Sequence, residues 1–306
     1  LIEAGTPAGV ANLVLGAGAI VGAPLSSDPR IDMVSFTGGL TTGKHIMVSA
    51  AETVKKVALE LGGKNPHIIF ADANLDAAID NAVTAAFLHS GQVCSAGTRL
   101  LVERNIHDEV VAAIVERARA IRLGGPVDPV AETGALISEG HLIKVQKYCD
   151  DGVAEGAKLL VGGRRAMAPG LRDGWYFEPT VLDNCNTRMR CVQDESFGPI
   201  LTVEVFDSED EAIALGNDTI YGLSGGVWTS DAAKAERVAM ALRHGTIWIN
   251  DYGPYRPESE WGGFKQSGVG RELGVAGLHE YFEPKHVWRN TTPGRSGWFA
   301  AEGADA

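Results

Sequence analysis

The residues from Ile31 to Val102 repeat one rhythm, and that rhythm constrains the fold more than any other feature of the chain. A short apolar run, Ile31 to Phe36, meets the glycine turn Thr37-Gly38-Gly39. A helical pattern over Thr41 to Ala51 and a second apolar run, Lys55 to Leu61, follow. After Gly62-Gly63 the cycle restarts: strand His67 to Phe70, amphipathic helix Leu75 to His89, strand Arg99 to Val102, helix Asp108 to Ile121. Strand, turn, helix, strand predicts an α/β protein built on parallel sheets.

The remainder reads less regularly. Val10 to Leu15 predicts a further strand, after a turn at Pro7 to Val10. The region from Gly124 to Cys191 contains a helix His141 to Glu155 and a strand Lys158 to Val161. Ile200 to Phe206 resumes the sheet; Asp210 to Asn217 and Asp231 to Leu242 predict helices, each preceding a strand, and Thr246 to Asn250 is the last strong strand run. Tyr281 to Asn290 reads as an exposed edge strand, a form that calls for pairing with another chain. From Thr291 the Gly, Ala and Ser content predicts a disordered tail. The chain opens at Leu1, without an initiator Met, inside what reads as a helix-to-strand connection, so N-terminal truncation is the expectation.

With 306 residues, 45% of them hydrophobic, there is material for about two domains. A net charge of −12 with scattered basic residues argues against a nucleic-acid partner, which would need clustered Lys and Arg to neutralise phosphates. Four cysteines (Cys94, Cys149, Cys185, Cys191) without a C-x-x-C pair indicate neither a zinc knuckle nor a disulfide scaffold. Neither a run of roughly 18 apolar residues nor a basic-then-apolar leader is present, so no membrane partner is expected and the expected compartment is the cytoplasm.

Two segments carry chemistry. Cys94 lies in Ser90-Gly91-Gln92-Val93-Cys94-Ser95-Ala96-Gly97, where flanking glycines let the backbone bend and turn its N–H groups toward a ligand. Upstream, Glu60 in Leu59-Glu60-Leu61-Gly62-Gly63-Lys64 ends a strand pattern, a position that points a carboxylate into an α/β cleft. A thiol that ionises and a carboxylate that accepts protons form a nucleophile and base pair. Taken singly, Cys94 could be a buried core thiol and Glu60 a solvated surface group. Thr37-Gly38-Gly39-Leu40-Thr41-Thr42-Gly43-Lys44 places amides and a helix N-terminus where a phosphate could bind, although its spacing is not the usual dinucleotide fingerprint.

These two segments, with Glu195-Ser196-Phe197-Gly198-Pro199 and Trp261-Gly262-Gly263-Phe264-Lys265-Gln266-Ser267-Gly268, occur in the order found in the NAD(P)-dependent aldehyde dehydrogenases, and the chain resembles that family from Leu1 to about Asn290. The resemblance implies an aldehyde-dehydrogenase-like α/β fold: the C-terminal part of a Rossmann-like cofactor domain over 1–62, a complete thiolate-bearing catalytic domain over 63–266, a return helix and oligomerisation strand over 267–290, and the tail 291–306. It implies that Cys94 attacks an aldehyde, that Glu60 activates water to hydrolyse the thioester, and that Glu272 belongs to a proton relay. The cofactor, NAD or NADP, would meet Gly38, Gly39, Gly43, Leu61, Gly62, Glu195 and Phe197.

The loop Asn250 to Trp261 combines aromatic rings and carboxylates, a combination suited to a quaternary ammonium through cation–π attraction. Within the family it most resembles the betaine aldehyde enzymes, which implies Tyr255 and Trp261 as substrate residues, with aminoaldehydes as a related substrate class. Val54, Lys265 and Gly268 match positions implied to bind potassium through carbonyls, and family habit implies a homo-oligomer, dimer or tetramer. Family parts upstream of Leu1 include an oxyanion-hole Asn, and losing one such donor costs ~10²–10³ in rate. The chain alone is therefore expected to be weakly active or inactive. A noncatalytic remnant serving as an oligomerisation partner, and an acylating enzyme using coenzyme A, are the competing readings.

Overall fold

The computed structural model describes residues 2–299. Two sheets organise them. In the smaller, β1 (Met33–Thr37) and β2 (Lys56–Glu60) run parallel, joined by α2 (Leu40–Ala51), with α1 (Gly22–Ser27) preceding β1. In the larger sheet, β3 (Pro66–Ile69) and β4 (Arg99–Glu103) enclose α3 (Leu75–Phe87), and α4 (His107–Ala120) follows. Then come α5 (Glu139–Ala154), β5 (Lys158–Val161), β6 (Thr180–Asp183), the single turn α6 (Arg190–Gln193) and β7 (Ile200–Phe206). The set closes with α7 (Glu209–Asn217), β8 (Ser224–Trp228), α8 (Ala232–Ala241) and β9 (Thr246–Ile249). Finally β10 (Gly268–Val269) returns to the small sheet, antiparallel to β2, and leads into α9 (Gly274–His279).

The large sheet has the order β5-β6-β7-β4-β3-β8-β9, and only β5 is antiparallel to its neighbour. Every residue of β3 and β8 is buried, as expected where helices cover both faces of a parallel sheet. On one face α3 and α4 pack against Ile69, Leu100, Val102 and Val203; on the other α7 and α8 pack against Ile68, Leu101 and Val227. A third cluster joins α5 to β6 through Leu142, Val145, Tyr148 and Leu182. The helices start where side chains can satisfy their free N–H groups: Asn74 accepts from Ala77, Ser138 from His141, Ser208 from Glu211, and Asp231 from Ala233 and Lys234.

Three segments differ from the sequence reading. Val10 to Leu15 is exposed coil rather than a strand, and so is Tyr281 to Asn290, because among the described residues neither has a neighbouring strand to complete its hydrogen bonds. The helix from Leu75 stops at Phe87: His89 and Ser90 turn to φ values of 52° and 56°, left-handed geometry that ends an α-helix. Leu1 and residues 300–306 of the expected tail lie outside the described residues, and Thr291–Phe299 is exposed coil. Among the described residues no helix is long and apolar enough to cross a membrane.

One buried ion pair ties β4 to β7. Arg99, fully buried, donates to Glu204 from Nε at 2.5 Å and from Nη2 at 3.1 Å. Replacing Glu204 by Gln strands a buried guanidinium, and breaking such a pair costs about 3–5 kcal/mol. Urea unfolding of Glu204→Gln should show a loss of that order, and a loss below about 1 kcal/mol would contradict the assignment.

Candidate active site

The turn Leu61 to Asn65 carries the chain from the end of β2 into the start of β3, so the C-terminal ends of β1 and β2 meet the N-terminal ends of β3, β4, β7 and β8. Glu60, Cys94 and Glu195 all sit at this junction. On the large sheet it is the edge opposite the one where α/β sheets usually bind ligands.

Glu60 is the last residue of β2 and is 7% exposed, with Oε2 buried and unpartnered. Burial pushes its carboxyl up to about 8; the Glu272 carboxylate adds to the rise and Arg271 opposes it. Gly262 leaves room for Glu60, since a Cβ at 262 would lie 2.9 Å from Oε1. Ser267, wholly buried, fixes the turn that follows: its carbonyl accepts from the Leu61 N–H at 2.9 Å and its hydroxyl donates to the Gly62 carbonyl at 2.7 Å. Glu272 is bridged to Trp261 through paired backbone bonds, and its carboxylate accepts from the Ser35 hydroxyl at 2.6 Å.

Cys94 is half-buried, whereas Cys149, Cys185 and Cys191 are buried in the α5 core. Burial raises the Cys94 thiol above its usual range, with Glu195 and Glu60 adding to the rise, while the Ser95 and Cys94 N–H groups pull the other way. Those amides are positioned to stabilise negative charge on sulfur. The loop around Cys94 is held from all sides. Asn65 donates from Nδ2 to the carbonyls of Cys94 at 2.9 Å and Ala96 at 3.0 Å, and its Oδ1 accepts from the Ser224 N–H at 3.1 Å. The Ser90 hydroxyl donates to the Gly134 carbonyl, and the Gln92 side-chain Oε1 accepts from the Ile137 N–H. Asn65→Ala removes both amide donors from the Cys94 loop. Displacing a reacting group by about 1 Å can cost ~10²-fold in rate, so turnover of the complete protein should fall by roughly that factor with its circular dichroism unchanged.

Glu195 reaches the same turn, its carboxylate accepting from the Gly63 N–H at 3.2 Å, and a Cβ at Gly62 would collide with it. Burial raises the Glu195 carboxyl. Phe197, two residues on, holds φ 53°. At the end of β1, Gly38 and Gly39 open α2, whose N-cap Gly39 offers no side chain to the first amides. Gly43 lies against Leu61, where a Cβ would come within 2.7 Å of Cδ2. An uncapped helix start and a buried acceptor beside a bare glycine turn fit a phosphate and a ribose diol.

The aromatic loop is folded back onto the Cys94 loop. Asn250, at φ 53°, pairs its amide with both backbone groups of Thr229 and turns the chain after β9. Tyr252 then crosses β3 and β8 and donates its hydroxyl to the Ser95 carbonyl at 2.8 Å, and the Tyr255 hydroxyl meets the Ser95 hydroxyl at 2.5 Å. Tyr255 and Trp261 have ring centroids 4.6 Å apart, with Trp248 against both. A cavity of about 290 Å³ opens among Trp248, Tyr255, Trp261, Asp251 and Glu260. Beneath it His67, buried and without a hydrogen-bond partner, stacks between Trp228 and Tyr252; burial pushes its pKa down to about 3, so the ring is neutral.

The structure therefore gathers Glu60, Leu61, Gly62, Cys94, Glu195 and Glu272 around one junction, with Phe197 beside it and Tyr255 and Trp261 at its mouth. It does not gather the potassium positions. Gly268 pairs with Glu60 at the C-terminal end of β2, whereas Val54 lies beyond its other end, past a strand that spans ~13 Å at about 3.3 Å per residue. Within one chain, Val54 cannot share a cage with Lys265 and Gly268. Sequence reading missed Asn65, Ser267, His67 and Ser35. Asn65, adjacent to the Gly62-Gly63-Lys64 turn, and Ser267, inside the Trp261 to Gly268 motif, had positions that could have flagged them.

Residues 1–287 match the aldehyde dehydrogenase family, and the chain, whose two sheets meet over a half-buried Cys94 and a buried Glu60, belongs to it. Among its relatives, the betaine aldehyde dehydrogenase of Bacillus subtilis (strain 168) is 58% identical over 297 residues, covering 97% of this chain and 61% of that protein. A crystal structure of the Staphylococcus aureus betaine aldehyde dehydrogenase in complex with NAD+ superposes with a TM-score of 0.95 at 52% identity, covering 98% of this chain and 59% of that one. An apo form of a variant of the same enzyme gives 0.95 at 51% identity, with coverages of 98% and 60%. The chain thus spans about three-fifths of the length of the relatives it matches.

Proposed function

We propose that this chain supplies the nucleophile, the base and the substrate box of an NAD-dependent aldehyde dehydrogenase acting on betaine aldehyde. The observation that carries the reading is the convergence of Cys94, with amides facing its sulfur, and Glu60, with a carboxyl raised to about 8, on one dry junction.

The Cys94 thiol loses its proton to solvent, and the thiolate adds its sulfur to the aldehyde carbon, forming a C–S bond and an oxyanion that the Cys94 N–H helps hold. When bound, NAD accepts the hydride lost from that carbon. It would be held by the Gly38-Gly39 helix start with Gly43, by Leu61 and Gly62, and by Glu195 and Phe197. The thioester left on Cys94 is cleaved by water. Glu60 takes the proton of that water as its oxygen bonds to the carbon and the C–S bond breaks, regenerating the thiolate and releasing the acid. Glu272 and the Ser35 hydroxyl bonded to it offer that proton a way out. Tyr255 and Trp261 form an electron-rich wall for a trimethylammonium group, with Asp251 adding charge. The carboxylate of Glu260 is bound to backbone N–H groups at the start of α9, which lower its pKa. Lys265 and Gly268 would hold potassium only with carbonyls from elsewhere than Val54 of the same chain, and the family's oligomeric habit is a source for them.

The test is NADH formation by the complete protein with betaine aldehyde, an aminoaldehyde and an uncharged aldehyde of similar length, each with NAD and with NADP. A kcat/KM at least about tenfold higher for betaine aldehyde, lost in Trp261→Ala, supports the box. Equal use of the uncharged aldehyde would overturn it.

A further inference from the structure

Residues 194–198 approach the junction as a loop between α5 and the turn before Cys94. A Cβ on Gly198 would lie 2.5 Å from Val145 of α5, and one on Gly91 would collide with the Gly198 carbonyl, so the loop has no slack on either side. Its start is fastened by Arg190, which donates from Nε to Asp194 at 3.0 Å, and its middle by Glu195 on the Gly63 N–H. Its end takes one side-chain hydrogen bond besides that packing on Val145 and Gly91. His141, in the first turn of α5, meets the Phe197 carbonyl with Nε2 at 2.6 Å. A carbonyl only accepts, so Nε2 carries the hydrogen and the tautomer is fixed. Among the described residues this is the one side-chain hydrogen bond to 196–198; the Ser196 hydroxyl is buried without a partner.

Phe197 needs that contact. It is a non-glycine residue at φ 53°, a conformation that persists only where its surroundings impose it. The His141 ring also packs edge-on against the Phe197 ring, with centroids 6.1 Å apart.

We propose that His141 is a positioning residue for the cofactor: through the Phe197 carbonyl it holds Phe197 in left-handed geometry and so keeps Glu195, two residues earlier, on the Gly62-Gly63 turn. This rests on the reading of Glu195 and Phe197 as cofactor residues given above. His141 acts through Phe197 and touches neither sulfur nor base, so its loss should weaken cofactor binding and leave the reactivity of Cys94 intact.

The experiment measures NAD binding by calorimetry on the complete protein for the wild type, His141→Leu, His141→Gln and His141→Asn. A glutamine amide reaches where Nε2 stands, and an asparagine amide falls short of it. Losing one part-buried hydrogen bond corresponds to roughly 5- to 100-fold in affinity, so the Leu and Asn variants should bind NAD weaker by about that factor and the Gln variant within about threefold of wild type. Alkylation of Cys94 without NAD should proceed at the wild-type rate in all four. Should His141→Leu not fold, the contrast between Gln and Asn decides. Equal NAD affinity across the variants overturns the proposal, as does slower alkylation that matches any loss of affinity. A wild-type protein that does not bind NAD overturns instead the cofactor reading on which it rests.

Discussion

Cys94→Ala should abolish NADH formation by the complete protein, lowering turnover by more than about 10⁴-fold, because it removes the atom to which the substrate is bonded through the whole cycle. The substitution should leave the fold alone: the side chain is half-exposed, and the surrounding loop is held by Asn65, Ser90 and Gln92 rather than by sulfur. NAD affinity should therefore stay near wild type, which separates loss of chemistry from loss of structure. The same asymmetry predicts a mass-spectrometric result. Brief alkylation of the folded protein should add one adduct, on Cys94, since the other three thiols are buried in the α5 core and burial holds Cys149 up at about 11. Turnover surviving in Cys94→Ala, or adducts appearing first on Cys149, would sink the assignment of the nucleophile.

The parts of this fold legible in the sequence are those set by local pattern. The alternation from Ile31 to Val102 gave the parallel strands and their helices to within a residue or two, because each apolar run and each cap acts within a few positions of itself. Strand β8 is expected only as a strand after α7, without bounds, because Ser224-Gly225-Gly226 lacks the β-branched residues that mark strands. Those glycines are there for a distant reason: a Cβ at 226 would lie 2.7 Å from the Tyr252 ring. Strand β10, of two residues, exists only because β2 is beside it. Val10 to Leu15 shows the converse, an apolar run that reads as a strand and finds no neighbour. Cys94 and Glu60 stood out as motifs, yet the groups that hold and surround them did not. Ser267 reaches Gly62 across 205 positions, and Glu272 is bound by Ser35 across 237, separations that no local pattern records.

Glu60→Gln should divide the reaction at its midpoint. Attack by Cys94 and hydride loss need no base for water, so the variant should still release NADH in a burst of one equivalent per site. The thioester should then persist, because general-base assistance is worth about 10²–10⁴-fold and the amide that replaces the carboxylate cannot accept the proton of water. Steady-state turnover should fall by that factor, and rapid quenching followed by intact-mass measurement should find the acyl group on Cys94. The pH dependence follows from the same burial. Glu60 acts as a base only when ionised, and burial, reinforced by the Glu272 carboxylate, holds its proton up to about 8. Wild-type hydrolysis should accordingly climb as the pH rises from 7 to 9 and level off above the Glu60 pKa. This limb should be absent from Glu60→Gln. Glu272→Gln removes the neighbouring charge that helps raise Glu60, so it should shift the limb to lower pH. A pH profile unchanged by Glu60→Gln, or a variant that turns over without accumulating acyl-enzyme, would assign the base to another residue.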